Sequence, residues 1–493
     1  METDVLIVGA GPAGLTAAAE LRRLGVRRVV VADREAAPGG IPRHSEHVGY
    51  GLRDLHRVLS GPAYARALTD TAARAGAELR AGCTVTDLRA GDGAPGAGPR
   101  AGGDGVSCVL TSGAGIEQVR AAAVLLATGC RERPRAARLI PGDRPSGVLT
   151  TGELQQRVYL AGERLDGRAL VVGAEHVSFS AALTLAHAGA RVLALVTDQP
   201  RHASYAAFRL GAALRWRVPV WTSTAVTRVT GANGRLAAVD LAAVDLAGAD
   251  DADDAADAAR VAAVAGERTR TVACEWLVFT GDWIPDHVLA RTAGIALDAG
   301  TRGPAIDTTM ATSTPGVFAA GNLVHAAETA DVAALSGRHA ARQIAAYLAG
   351  RPPEGSAPVP AAAPALAAAP ALAAAPVPVI AELPLRWISP NAIAINAGTA
   401  IDAGTGTGAE VAIGAEVSVG ASGGAVPPPL GRFAIRAAEY RQRARLEAWQ
   451  DGRLLVRSRP LRLIPGRPIH LRASWLPSVD PAGGPVHVST ARS

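Results

Sequence analysis

The chain has 493 residues, 48% of them hydrophobic and 19% charged, a length that holds about three domains and a large core. All 50 basic residues are arginine, which excludes Schiff-base catalysis and the lysine of a phosphate-binding P-loop. The net charge of +6 is spread along the sequence and aromatic residues are only 4%, so no nucleic-acid partner is expected.

Residues 4–9, DVLIVG, form an apolar run that stops at glycine, and residues 12–24 then place Leu15, Ala18, Ala19 and Leu21 on one side of a helix. VRRVVVADRE, residues 26–35, reads as a second buried strand, so the unit is β-α-β with a parallel sheet. The glycine-rich residues 91–105 suit a hairpin tip, and AAVLLATG, residues 122–129, is a strand closing on a turn. The strand–turn–helix–strand order returns at 168–198, which gives the chain two nucleotide-type units. The acidic, alanine-rich residues 248–260 suit a solvated insertion. TVACEWLVFTG (271–281) and GVFAAGN (316–322) are again strands closing on glycine, followed by a helix that ends near Leu348.

The AAAPAL repeat that follows has prolines too frequent for a membrane span and makes a semi-rigid linker. Beyond it, Ala444, Leu446 and Ala448 alternate with Arg443, Arg445 and Glu447, and Asp451–Gly452 marks a hairpin turn. Residues 396–425 read as loops. The expected fold class is therefore α/β, two Rossmann-like dinucleotide-binding domains plus a small C-terminal all-β domain. The expected spans are 1–150 and 273–350 for the first nucleotide domain, 151–272 for the second, 351–379 for the linker and 380–493 for the β domain.

VGAGPAG supplies Gly9, Gly11 and Gly14 in GxGxxG spacing between strand and helix, and Asp33 ends the next strand. The first glycine permits the turn, the second lets a pyrophosphate reach the backbone, and the third lets helix and strand pack closely. The helix N-terminus then faces the phosphates, with Pro12 and Ala13 in its first turn. Four widely separated cysteines, Cys83, Cys108, Cys130 and Cys274, form no CxxC pair or metal-ligand pattern, which suits reduced thiols in a cytoplasmic protein with no metal.

With these motifs in place, the sequence over about 1–350 resembles the two-dinucleotide-binding-domain flavoproteins, the pyridine nucleotide-disulfide oxidoreductase-like family. GAGPAG with Asp33 and Arg34 resembles its FAD-binding turn; LLATG, with Ala127, Thr128 and Gly129, its ATG motif; and TSTPGVFAAGN its late flavin motif. The resemblance implies FAD as cofactor, with Gly40, Gly321 and Asn322 beside it and the backbone of Val85 at the adenine. Asn322 stands where the family usually has Asp. In the second unit the family's second glycine is replaced by Glu175, whose carboxylate would repel a diphosphate, so NAD(P) binding is left uncertain.

Residues 38–51, PGGIPRHSEHVGYG, follow the flavin-domain turn, where disulfide reductases of the family carry a cysteine against the flavin. This segment has no sulfur, so the flavin is expected to exchange electrons directly with a small amine, imine or alcohol, or with a second oxidoreductase subunit. His44 and His47 are the candidate general bases, since imidazole titrates near neutrality. Arg43 or Arg53 would orient a substrate carboxylate, and His325 with Glu328 forms a second polar group near the ring. The cysteine-free members most similar in GGI…H…GYG and AAGN…H are flavin subunits of amine-oxidising enzymes, such as opine and sarcosine oxidation systems, and the oxidoreductases that accompany glycerol-3-phosphate dehydrogenases. Two alternatives stay open: an NAD(P)H-dependent reductase feeding an acceptor protein, and a non-catalytic flavin-bearing docking subunit.

Overall fold

The computed structural model describes residues 1–89, 105–204, 218–244, 269–350, 376–395 and 425–491. The opening apolar run forms strand Glu2–Val8, with Val5, Leu6 and Ile7 wholly buried, as a strand covered on both faces requires. Gly9, at φ +108, turns the chain into helix Pro12–Arg23, and strand Val29–Ala32 returns parallel to the first. Glu78–Arg80, Val29–Ala32, Glu2–Val8 and Gly115–Leu126 lie side by side in a seven-stranded sheet, and Val317–Ala319 also runs parallel to Gly115–Leu126. The opening half of Gly115–Leu126 instead pairs antiparallel with Val106–Ser112, which in turn pairs with Cys83–Arg89.

Helix Ala330–Ala349 lies on the first helix at very short range. Gly337 permits this, because a Cβ there would come within 2.1 Å of the Ala13 carbonyl oxygen.

The second unit has its own sheet of five parallel strands, in the order Val148–Thr150, Trp276–Phe279, Arg168–Val172, Arg191–Val196 and Val220–Trp221. Its first two strands lie just outside the 151–272 span expected from sequence. The two connections between the units are themselves paired, Cys130–Glu132 running antiparallel to Trp283–Pro285. An antiparallel meander, Thr224–Ala232, Arg235–Ala243 and Arg270–Ala273, adjoins this sheet.

The C-terminal part holds a five-stranded and a three-stranded sheet around a core in which Phe433 stacks on Trp475 at 5.4 Å. Asp451 and Gly452, at φ +48 and +77, turn Leu446–Gln450 into Arg453–Arg457 as the sequence predicts. Alternation misplaces Glu447. It is buried, paired with Arg457 and accepting from Trp449 Nε1, because two polar partners satisfy its carboxylate inside.

This β domain is attached to the first domain rather than tethered beside it. Asn391 exchanges two hydrogen bonds with the Ile306 backbone, and the Ala394 N–H donates to Thr308 Oγ1 at 3.0 Å. The expected features at 91–104, 248–260, 351–375 and 396–424 lie outside the described residues, while the last residues of the expected linker already belong to strand Val377–Ala381. Among the described residues no helix is long and apolar enough to cross a membrane.

Candidate functional site

The first nucleotide turn has three glycines with three different duties. A Cβ on Gly9 would sit 2.5 Å from the Ala127 carbonyl oxygen, and one on Gly14 only 1.9 Å from the Gly9 carbonyl oxygen. Both are packed against backbone. Gly11 differs: nothing lies within 4 Å of its missing side chain. It is the N-cap of helix Pro12–Arg23, which has no side-chain cap and no acidic residue in its first turn. The N–H groups there face an open space, a ready site for an anion such as a diphosphate.

The other glycines singled out in the sequence converge on the same spot. A Cβ on Gly40 would meet the Gly11 Cα at 2.9 Å, and one on Gly321 would meet the Ala13 Cβ at 2.8 Å. Asp33 lies beside them, accepting from the Ala10 and Glu35 N–H groups at 2.5 and 2.8 Å. Next to it, the Cys83 N–H donates to the Asp33 carbonyl, which sets the strand bearing buried Val85 against the turn. The ATG segment closes the side: Thr128 Oγ1 donates to the Asp286 carbonyl, the Asp286 N–H donates to the Gly129 carbonyl, and Asp286 pairs with Arg34 at 3.1 Å.

Asn322 is engaged in both directions with the Glu328 backbone. Its Nδ2 donates to the Glu328 carbonyl at 3.2 Å and its Oδ1 accepts from the Glu328 N–H at 2.9 Å. A carboxylate has no donor for the first of these bonds. The departure from the family's Asp thus closes the loop 322–328 that precedes helix Ala330–Ala349.

The second nucleotide turn is built in the opposite way. Glu175 is the N-cap of helix His176–Ala188: its N–H donates to Ser178 Oγ at 3.1 Å and its backbone carbonyl accepts from the Ser178 N–H, while its carboxylate is directed towards Gly281. It lies within 2.5 Å of where a Cβ on Gly281 would stand. Burial holds its carboxyl above the ordinary range, while the charges of Arg436 and Arg138 act in the other sense. Arg436 comes from the C-terminal domain, as does Gly466 near the same carboxylate. Tyr440, also from that domain, lies under the Arg201 guanidinium. The Glu175 carboxylate thus stands at the second nucleotide turn with groups from the C-terminal domain around it.

The two candidate bases occupy different settings. His44 is buried against Gln155 of the second domain, and burial first, then the charge of Arg43, lowers its pKa, leaving a neutral imidazole with Nδ1 unpartnered. His47 is half-buried, stacked on Tyr50 at 5.0 Å, with Nδ1 3.0 Å from the Val48 carbonyl. Both arginines expected to orient a substrate have partners within the chain. Arg43 pairs with Glu35 and the Ala37 carbonyl, and Arg53 with both oxygens of Asp331.

His325 and Glu328, the second polar group expected from sequence, do stand together. Burial lowers His325 to about 4, and its ring lies 5.2 Å from that of Trp387 in the C-terminal domain. Glu132, directly after the ATG turn, has no counterpart among the sequence expectations. It is buried, and burial raises its carboxyl to about 7 against the pull of the hydrogen bond that its Oε2 accepts from the Gly152 N–H at 2.9 Å. Its other oxygen, Oε1, has no partner. Only the strand pairing that sets Glu132 opposite Trp283 brings it beneath the helix Thr151–Gln155, and no local motif signals that.

Sulfur takes no part in this arrangement. Burial raises the thiols of Cys108, Cys130 and Cys274 to about 12 and that of Cys83 above its usual value. All four are unpaired thiols, and burial favours their protonated form.

The profile of the pyridine nucleotide-disulphide oxidoreductases matches residues 3–337. The chain belongs to that family. Among curated proteins it is similar to an opine oxidase subunit of Agrobacterium tumefaciens, 31% identical over 38% of this chain and 35% of that protein. It is also similar to the alpha subunit of a sarcosine oxidase from a Corynebacterium species, 30% identical over 49% of this chain and 24% of that protein. The matches thus span only about a quarter to a third of those relatives' length. Thioredoxin reductases of T. acidophilum and Lactococcus lactis share the fold, each with a TM-score of 0.53, at 19% and 17% identity. They cover 70% of this chain and 98% and 99% of theirs.

Proposed function

We propose that this chain holds FAD in the first nucleotide turn and that the flavin exchanges electrons directly with a small amine, imine or alcohol, or with a partner subunit, with no thiol relay. FAD supplies the two-electron redox chemistry; the protein supplies its position and surroundings. The uncapped helix N-terminus at Gly11, Pro12, Ala13 and Gly14 suits the pyrophosphate, Asp33 the adenosine ribose, and the Val85 backbone the adenine. Gly40, Thr128, Gly129 and Gly321 line the same crevice.

The observation that carries this reading is the contrast between the two nucleotide turns: one with open space beside its N-cap glycine, the other with a buried N-cap glutamate whose carboxylate packs against Gly281. It favours an electron donor other than NAD(P)H over the NAD(P)H-dependent reductase. The names of the relatives, each of them one subunit of an oxidase, favour an assembly with a second subunit over action alone. His47, half-buried beside Tyr50 and Ser45, is better placed than buried His44 to take a proton from a bound amine or alcohol. His44 serves as a positioning residue between the domains.

The test is stopped-flow flavin reduction, without oxygen, against a panel of amines, hydroxy acids, NADH and NADPH. The expected result is reduction by an organic donor, slowed at least tenfold in His47→Ala with flavin content unchanged. Fast reduction by micromolar NADPH would overturn the reading.

A further inference from the structure

A cavity of about 40 Å³ lies where the loop 322–329 and the start of helix Ala330–Ala349 meet the C-terminal domain. A water needs ~10 to 15 Å³ on this measure, so the space holds a short row of about three or four such positions. Its lining divides sharply. Ile306, Met310, Val332 and Leu430 give it an apolar wall, while Glu328 and His325 enter from the loop and Arg432 and His470 from the β domain.

The polar groups at this junction are unusually short of partners. His325 Nδ1, Glu328 Oε1 and Arg432 Nε are buried with no hydrogen bond, and His470 approaches Glu328 only to 3.5 Å. Buried polar atoms are nearly always paired, and leaving one unpaired costs about 1–3 kcal/mol. Several such atoms around one cavity mark a place built for a polar occupant. Glu328 keeps its charge: burial raises its carboxyl, but His470, His325 and Arg436 together bring it below the ordinary range. The two bonds from Asn322 hold the Glu328 backbone rigidly in place.

We propose that this cavity binds a small zwitterion, an amine and a carboxylate on one short carbon skeleton, with Glu328 receiving the amine and Arg432 the carboxylate. A carboxylate, a guanidinium and several apolar side chains lining one small cavity match that ligand better than a plain acid, a plain amine or an alcohol. The inference rests on the proposed function only in taking the amine class as the flavin's organic donor; the site itself follows from the cavity and its unpartnered atoms.

Isothermal titration of the full-length flavin-loaded protein with glycine and N-methylglycine tests it, with acetate and methylamine as single-charge controls. Saturable binding of at least one zwitterion is expected, at least tenfold tighter than either control. Glu328→Gln and Arg432→Gln should each weaken it at least tenfold. Val332→Phe, which fills the space and leaves both charges, should abolish it while circular dichroism and flavin content stay unchanged. No saturable heat with either zwitterion, or wild-type binding in all three variants, overturns the proposal and leaves a water-filled void. Flavin absorbance of the same samples separates the two claims: yellow protein that ignores both zwitterions sinks the cavity site alone, and colourless protein that binds one sinks the flavin reading alone.

Discussion

Two glycines three residues apart should fail in different ways when replaced by alanine. Gly11 has φ −80 and ψ −175, an extended conformation open to any residue, and no atom lies within 4 Å of the added methyl. Gly11→Ala should therefore leave the stability of the apoprotein within about 0.5 kcal/mol of wild type. The methyl instead stands where a pyrophosphate must approach the helix N-terminus. Loss of one or two charge-assisted hydrogen bonds, about 3 kcal/mol, corresponds to about a hundredfold weaker FAD binding. Gly14→Ala places its methyl 1.9 Å from the Gly9 carbonyl oxygen, so helix and strand must separate. Such overpacking against backbone should destabilise the domain by about 3 kcal/mol or more. The assays are flavin titration after gel filtration and denaturant unfolding of the two apoproteins, compared without flavin so that ligand linkage does not mask the difference. A Gly11→Ala protein that holds FAD as tightly as wild type, or unfolds as readily as Gly14→Ala, would refute the assignment of Gly11 to the pyrophosphate.

Glu132, with its carboxyl raised to about 7 from 4.5, stays protonated in the folded state where the unfolded chain has already ionised. Its contribution is full below the unfolded value and is lost as pH rises through about 7, by roughly 3 kcal/mol. The advantage of Glu132→Gln over wild type should therefore grow between pH 4.5 and pH 8 in urea unfolding, and a constant difference would exclude the raised value. Arg436→Met removes the larger of the two positive charges acting on buried Glu175 and should destabilise the fold, with part of the loss recovered in the double variant with Glu175→Gln; additive losses in a double-mutant cycle would show that the two do not interact. Asn322→Asp removes the donor to the Glu328 carbonyl and should destabilise by about 1–3 kcal/mol, with Asn322→Ser intermediate; equal melting temperatures for all three proteins would contradict the locked loop.

Much of the first domain is legible in the sequence because its signals are local. A GxGxxG turn flanked by a buried strand, a helix and Asp33 needs only about thirty neighbouring residues to state its geometry, and Gly9, Gly11, Gly14 and Asp33 meet as that pattern requires. The replacement of a turn glycine by Glu175 is equally local, and its meaning follows from charge alone. The ion pairs of Arg43 and Arg53 are not visible in their sequence context, because an arginine's partner is set by the tertiary structure: Asp331 lies far along the chain from Arg53. Glu132 and Arg436 are invisible for the same reason. Their environments are made by residues from other domains, and no periodicity in the sequence reports which domain will cover a given carboxylate. Glu447 shows the limit of alternation, since a charged residue faces inward when Arg457 and Trp449 supply its partners.

The central claim is a flavin working without sulfur, and an anaerobic dithionite titration of the flavin-loaded protein tests it without knowledge of the substrate. A flavin coupled to a redox-active disulfide takes up four electrons per FAD, whereas a flavin alone takes up two. The account predicts two, with no change when all four cysteines are replaced by serine. Uptake of four electrons, falling to two in the cysteine-free variant, would contradict it.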